Sequence, residues 1–319
     1  MFISQEDKLI ENQAEINLFW QQQVVQDKLL LSDHTLHYAY VIPAQAIQAV
    51  VISSGRIESL LKYQELIWEL AQNNYAVFII DHRGQGLSSR DLVNPHKGYI
   101  ADFKNYTDDF SLFNQQIVDS LWHGKKYLLA HSMGSAIATL YLDHYPHRFS
   151  KVALCGPMFG IDLGKAPAWL AKGLTQTLNR LGAGKRYFID QGDYLAKPFS
   201  ENELTTSALR YQLFRQTYQA NPVVQLGGVT VAWLNAAFIA MEKLSKINLT
   251  LPTLVLQAGA DSIVDNSAQN AWLSHNKHAQ LKCFEQAKHE LLSEQDKIRT
   301  PVMTAIYEFF DLSTTETGS

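Results

Sequence analysis

Cysteine is scarce in this chain: among 319 residues only Cys155 and Cys283 occur. Both fall in apolar, strand-like runs, so they read as buried core thiols in a reducing compartment rather than as a disulfide or a metal site. The first residues, Met1-Phe2-Ile3-Ser4-Gln5-Glu6-Asp7-Lys8, lack the basic start and apolar core of a secretory signal. No run is apolar enough for a confident membrane span. The nearest, Pro222 to Met241, is broken by Gln225, Gly227, Gly228 and Asn235. A net charge of −4 argues against nucleic acid as a partner. Internal repeats and low-complexity tracts are absent too. What remains is a 46% hydrophobic chain, expected to be cytoplasmic, with membrane contact at most peripheral on the inner face of the cytoplasmic membrane.

The apolar segments then set the organisation. Lys28 to Leu31 and Thr35 to Ile42 read as a hairpin bridged by Ser32-Asp33-His34. Ile47 to Ser53, Ala76 to Ile80, Lys151 to Cys155, Thr253 to Gln257 and Gln280 to Phe284 read as strands. Helical periodicity covers Ile57 to Gln72, Asp102 to Leu121, Val229 to Ile247, Ser267 to Ser274 and about Glu294 to Phe310. Continuous apolar strands alternating with helices imply a mostly parallel sheet with helices on both faces. The alternation lapses after Pro157, which places an inserted helical cap at 157–228 between core segments 1–156 and 229–319. Ligands of such sheets bind beyond the carboxyl ends of the strands.

One corner of this pattern carries chemistry. Tyr127-Leu128-Leu129-Ala130-His131 runs as a strand into Ser132-Met133-Gly134-Ser135-Ala136, which opens a helix. A sharp strand-to-helix turn of this kind holds a serine Oγ clear of the sheet and needs small residues two before and two after it. Here these are Ala130 and Gly134. A serine hydroxyl needs an oriented base, and after the insertion the chain offers His275, His278 and His289. The first two flank a helix–strand join and read as solvated; His289 follows the last strand at the carboxyl edge. Asp261 and Asp265 both follow the strand Thr253 to Gln257. Asp261, nearer the strand end, is the favoured partner for His289, and Asp265 fits the cap of the next helix. The oxyanion donors expected are the amide of Met133 and that of Arg56, just after Ser54-Gly55. In Asp81-His82-Arg83-Gly84-Gln85-Gly86 the charged residues are expected to tie loops together near the site, since no phosphate-loop lysine or dinucleotide spacing accompanies the glycines.

Taken in order, Asp81-His82-Arg83-Gly84-Gln85-Gly86, His131-Ser132-Met133-Gly134, Asp261 and Lys288-His289-Glu290 resemble the monoglyceride-lipase-like branch of the α/β-hydrolases. Within it, Gly55-Arg56-Ile57-Glu58-Ser59, Pro157-Met158-Phe159-Gly160-Ile161 and Val264-Asp265-Asn266 resemble the bacterial lysophospholipase L2 family. The resemblance implies an α/β-hydrolase fold and a serine hydrolase cleaving the acyl ester of lysophospholipids through an acyl-serine intermediate, with transfer of the acyl group to a second lipid as a further outcome. It implies a triad of Ser132, Asp261 and His289, with Arg56 and Met133 at the oxyanion and no metal or cofactor. A monoacylglycerol lipase or general carboxylesterase is the chemical alternative, and a silent lipid-binding protein the non-enzymatic one. Departures from the pattern are Ala130 for the usual first glycine, Ser135 for a second one, and Ser54-Gly55 for a His-Gly pair.

From Asp162 to Asp190 no acidic residue intervenes, whereas Lys165, Lys172, Arg180, Lys185 and Arg186 all appear. Trp169, Leu170, Leu174, Leu178 and Leu181 fall near helical spacing in the same stretch. Such a basic amphipathic helix suits an anionic bilayer surface, or packs as an ordinary cap helix with a solvated charged face. Trp169, Leu170 and Leu174 are the substrate-binding residues expected in the cap, for a lysophospholipid or another monoacyl lipid.

Overall fold

In a computed structural model, residues 1–164 and 167–311 are described; Lys165 of the basic stretch lies outside them. Eight strands form one sheet: β1 (Val25–Leu30), β2 (Thr35–Val41), β3 (Gln48–Ser53), β4 (Tyr75–Ile80), β5 (Lys125–His131), β6 (Phe149–Cys155), β7 (Thr253–Ala258) and β8 (Ala279–Phe284). Their spatial order is β1-β2-β4-β3-β5-β6-β7-β8. The β1–β2 and β2–β4 pairs are antiparallel and all others are parallel. With helices covering both faces, this is the α/β-hydrolase architecture, as the alternation of segments implied.

The helices are α1 (Leu9–Gln22), α2 (Gln64–Gln72), α3 (Lys104–Phe113), α4 (Asp119–Leu121), α5 (Met133–His144), α6 (Ala168–Leu178), α7 (Ala208–Ala220), α8 (Val231–Leu244), α9 (Asn266–Leu273) and α10 (Asp296–Phe309). Successive strand residues point to opposite faces, and the packing follows that period. Val51, Leu128 and Ala130 face a core shared with α3, α5 and α8. Val50, Ile52, Tyr127 and Leu129 face a second core closed by α1, α2 and α10. The run Pro222 to Met241, the most membrane-like by composition, is divided between a short 3-10 turn at Pro222–Val224 and α8, whose inner side belongs to the first core. Among the described residues no helix is long and apolar enough to cross a membrane.

Several boundaries differ from expectation for local reasons. The helix expected from Ile57 starts instead as a 3-10 turn at Leu60–Tyr63, because Ile57 takes φ 65° and Ser59 accepts the Leu61 amide at the turn's start. Helix α8 begins at Val231, where the Thr230 side chain accepts from the Trp233 amide. The expected Asp102 to Leu121 helix is interrupted by a π-turn at Asn114–Val118. Cys283 corrects the reading of two buried thiols: Cys155 is buried, but Cys283 is exposed. Strand β8 lies at the sheet's edge and its inner four residues, Gln280 to Cys283, all face solvent.

Candidate active site

The serine at the corner sits in a backbone conformation that β-carbon-bearing residues rarely adopt, φ 52° and ψ −118°. Two contacts hold it there. Its amide donates to the Cys155 carbonyl at 2.9 Å, and its carbonyl accepts from the Met158 amide at 3.2 Å. The turn closes only because residue 134 is glycine: a Cβ there would lie 2.1 Å from the Ser53 carbonyl oxygen. Ala130 is fully buried beneath the corner, so an alanine suffices where a glycine is common. Below it, the Ser53 hydroxyl donates to the Gly134 carbonyl at 3.0 Å and accepts from His82 Nε2 at 3.0 Å. Burial pushes the His82 ring down to about 3, so it stays neutral as that donor.

Two departures leave a mark: Ser54 and Ser135 are both fully buried, and neither hydroxyl has a partner among the described residues. An unpaired buried hydroxyl costs stability that alanine would not. Ser135→Ala is therefore expected to raise unfolding stability by about 1 kcal/mol, read as the shift of a urea denaturation midpoint.

Three side chains remote in sequence meet at the carboxyl edge of the sheet. The Ser132 Oγ lies 2.9 Å from His289 Nε2. His289 Nδ1 lies 2.7 Å from Asp261 Oδ2. The other carboxylate oxygen of Asp261 accepts the Ile263 amide at 2.8 Å and the Val264 amide at 3.2 Å. Burial by itself would raise the Asp261 pKa, but the His289 hydrogen bond and charge, with those two amides, hold it below the ordinary value. Asp265 is engaged elsewhere: it caps α9, accepting the Ser267 amide at 2.8 Å. His275 bonds the Ala271 carbonyl at the end of α9, and His278 is exposed; neither approaches Ser132. Of the two acids and three histidines weighed, only Asp261 and His289 join the serine.

The amides of Arg56 and Met133 have no acceptor among the described residues. Met133 is the first residue of α5, where helix geometry leaves amides unpaired. The Arg56 loop is braced from two sides. Gln85 Nε2 donates to the carbonyls of Gly55 (2.8 Å) and Glu58 (3.1 Å), and Glu58 accepts the Gly55 amide. The Arg56 guanidinium turns away, donating to the Gly227 carbonyl at 2.6 Å and lying over Trp233. Asp81 accepts the Leu60 amide at 2.6 Å and the Leu87 amide at 2.8 Å, while Arg83 grips Asp109 with two nitrogens. The charged turn thus ties loops together, as its composition suggested. Burial pushes the Asp81 carboxyl up to about 7, against the pull of those two amides.

Sequence reasoning passed over the groups directly behind the relay: Glu58, His131 and Glu290, all buried, and the largely covered side chain of Lys62, linked to one another. Glu58, His131 and Glu290 stand in motifs quoted above, but nothing in their spacing along the chain marks them as one cluster. Trp169, Leu170 and Leu174, expected to bind substrate, lie on the exposed side of α6, at 75%, 52% and 37% exposure. Helix α6 packs on α8, and Lys172 pairs with Glu242 there. No group of metal-ligating side chains exists among the described residues.

Residues 44–296 match the family model Hydrolase_4, described as serine aminopeptidase, S33. Lysophospholipase L2 of Escherichia coli (strain K12) is 35% identical over 320 residues, covering 94% of this chain and 91% of that protein. The probable lysophospholipase L2 of Haemophilus influenzae is also 35% identical, covering 87% of this chain and 88% of its own. Among solved structures, a soluble variant of Saccharomyces cerevisiae monoglyceride lipase in complex with a substrate analogue superposes with a TM-score of 0.71 at 17% identity. That superposition covers 90% of this chain and 96% of the lipase, and it supports the fold alone.

Proposed function

The chain belongs to the Hydrolase_4 family of serine hydrolases, and from that membership we propose that it is a lysophospholipase using Ser132 as nucleophile, His289 as base and Asp261 as the orienting acid. The observation that carries the reading is the unbroken relay from Ser132 Oγ through the His289 ring to Asp261, at 2.9 and 2.7 Å. Asp261 accepts the Nδ1–H of His289, which leaves the Nε2 lone pair facing the serine hydroxyl. His289 then accepts the Ser132 proton as Oγ attacks the acyl carbonyl. The tetrahedral oxyanion is held by the amides of Met133 and Arg56. On collapse the imidazolium returns its proton to the leaving glycerol oxygen, and an acyl-serine remains. Water, deprotonated by the same imidazole, releases the fatty acid. Every proton in this cycle moves through His289.

The preference for a lysophospholipid rests on the two L2 relatives, each 35% identical to this chain. We take 157–228 as the cap over the site. We assign Trp169, Leu170, Leu174 and Leu181 on its exposed side to contact with lipid. Arg180, Lys185 and Arg186 beside them are exposed, and each cation near an anionic surface contributes about 1 kcal/mol. Peripheral binding to anionic bilayers follows.

The test is fatty acid release from lysophosphatidylethanolamine, lysophosphatidylcholine and monoacylglycerol, each supplied to wild type and to Ser132→Ala. Release from both lysophospholipids, lost in the variant, is expected. Faster release from monoacylglycerol would move the assignment to a monoacylglycerol lipase, and no release from any of them would reject the enzyme reading.

A further inference from the structure

His131 immediately precedes the nucleophile and points away from it, into a buried cluster of charge. Its Nδ1 lies 3.1 Å from Glu58 Oε2, and its Nε2 lies 3.2 Å from the main-chain carbonyl oxygen of His289. The two imidazole rings are 4.9 Å apart, centre to centre. Neither facing atom brings a proton to the ring. A backbone carbonyl only accepts, and Glu58 is held as a carboxylate by the donors gathered on it, so it has no proton to give. Its Oε2 receives the Gly55 amide and the Tyr63 hydroxyl (2.6 Å), and its Oε1 receives Lys62 (2.9 Å). A neutral imidazole carries one N–H, so one of its nitrogens would face an acceptor lone pair to lone pair.

We propose that His131 is a resident imidazolium, a positioning residue that donates from both ring nitrogens to join the oxyanion loop to the loop of the catalytic base. The inference rests on the reading of His289 as base given above. One bond fastens the ring to Glu58, and the same carboxylate oxygen holds the Gly55 amide at the start of the oxyanion loop. The other bond fastens the main chain of His289 itself. A single charged ring therefore sets the spacing between the donor loop, the nucleophile's strand and the base.

Charge balance supports the second proton. The groups facing the ring are Glu58, Lys62 and Tyr63 from the segment after β3, His289 and Glu290 from the loop after β8, and Cys155 on the adjacent strand. Lys62 bridges both carboxylates, Glu58 and Glu290. Burial drives the Tyr63 hydroxyl and Cys155 thiol up, so both stay neutral. Two carboxylates against one ammonium leave one negative charge inside the fold, and an imidazolium cancels it. Burial alone would lower the His131 pKa, but Glu58 and Glu290 raise it. Burial would raise that of Glu58, and Lys62 and His131 hold it well below the carboxylate range. Gly55 lies close against the pair, where a Cβ would stand 2.8 Å from Glu58 Oε2 and 2.9 Å from His131 Nδ1. A cavity of about 30 Å³ also borders Glu58 and His131, and the further charges lining it, Glu65 and Arg299, face each other at 3.9 Å.

The test uses the full chain labelled with 15N-histidine. At pH 7.5, one histidine is expected to show both ring nitrogens protonated, and that pair of signals is absent from His131→Asn. Ser132→Ala retains the pair, so this readout survives even if the esterase reading fails. In His131→Asn, kcat is expected to fall about ten-fold or more with KM changed less than three-fold. His131→Gln serves for assignment and kinetics if the asparagine variant does not fold. A wild-type spectrum with only one protonated nitrogen on that ring would overturn the proposal, as would a variant whose kcat stays within about two-fold of wild type.

Discussion

Asp261→Asn is expected to lower kcat on ester substrates by about 10⁴-fold while leaving KM and thermal stability close to wild type. The carboxylate side chain is fully buried and faces His289 Nδ1 at 2.7 Å, with its second oxygen fixed by the Ile263 and Val264 amides. An asparagine fits the same space. To keep the two amide bonds its oxygen must stay where Oδ1 is, which turns its NH₂ toward His289. Two donors then oppose each other unless the imidazole moves its proton to Nε2, and an Nε2–H cannot take the proton of Ser132. The geometry survives and the tautomer is wrong. Asp265→Asn is the matched control: that side chain caps α9, so kcat should stay within about three-fold of wild type, asparagine being an equally good cap. Steady-state kinetics on a single ester decide it. Equal losses in both variants, or the larger loss at Asp265, would mean the orienting acid has been assigned to the wrong residue.

Arg299→Met is expected to destabilise the protein by about 3–5 kcal/mol, among the largest single-residue effects available outside the site. Arg299 on α10 and Glu69 on α2 are 1% and 0% exposed, and Arg299 Nη1 meets Glu69 Oε2 at 2.7 Å. Glu69 also accepts the Ser4 amide at 2.9 Å and the Tyr307 hydroxyl at 2.8 Å. One carboxylate therefore joins the N-terminal segment, α2 and α10. The neighbouring Arg210 on α7 extends the network, pairing with Glu65 at 2.9 Å and Asp296 at 3.0 Å, and so anchors that helix of the insertion to the core. Removing the guanidinium strands the Glu69 charge in a place water does not reach. Most of the loss is that uncompensated charge rather than the worth of the pair, so Glu69→Gln in the same chain should restore a large part of it. Urea denaturation of wild type, the single and the double variant tests this. A single variant within 1 kcal/mol of wild type would show that water reaches the site or that Glu69 becomes protonated at little cost.

Strands and the relay residues were legible because each leaves a local trace: an apolar run ending in small or polar residues, and a reactive side chain just beyond it. Ser132, Asp261 and His289 each follow a strand in the parallel part of the sheet, so topology alone brings them to one edge. Helix α1 left almost no trace. Only Leu9, Ile16, Phe19 and Trp20 are buried among its 14 residues, too thin a stripe to stand out from a polar start. Cys283 was misread because its run looks apolar, whereas exposure of β8 follows from its place at the sheet edge, which composition does not encode. The Glu58–His131 pair was invisible for another reason. Its members are 73 residues apart, and each is unremarkable until β3 and β5 are laid side by side. The apolar residues from Trp169 to Leu181 were read as one helical stripe, but α6 ends at Leu178, and which of its sides faces outward depends on its packing against α8.

The measurement that bears most directly on the account is reaction of the wild-type protein with a fluorophosphonate, followed by peptide mapping of the adduct and assay of fatty acid release. One adduct per chain is expected, on the peptide carrying Ser132, with release from lysophosphatidylethanolamine falling in proportion to labelling. Ser132→Ala should neither label nor turn over. An adduct on another residue, or a fully labelled protein that still releases fatty acid, would contradict the assignment of Ser132 as the nucleophile.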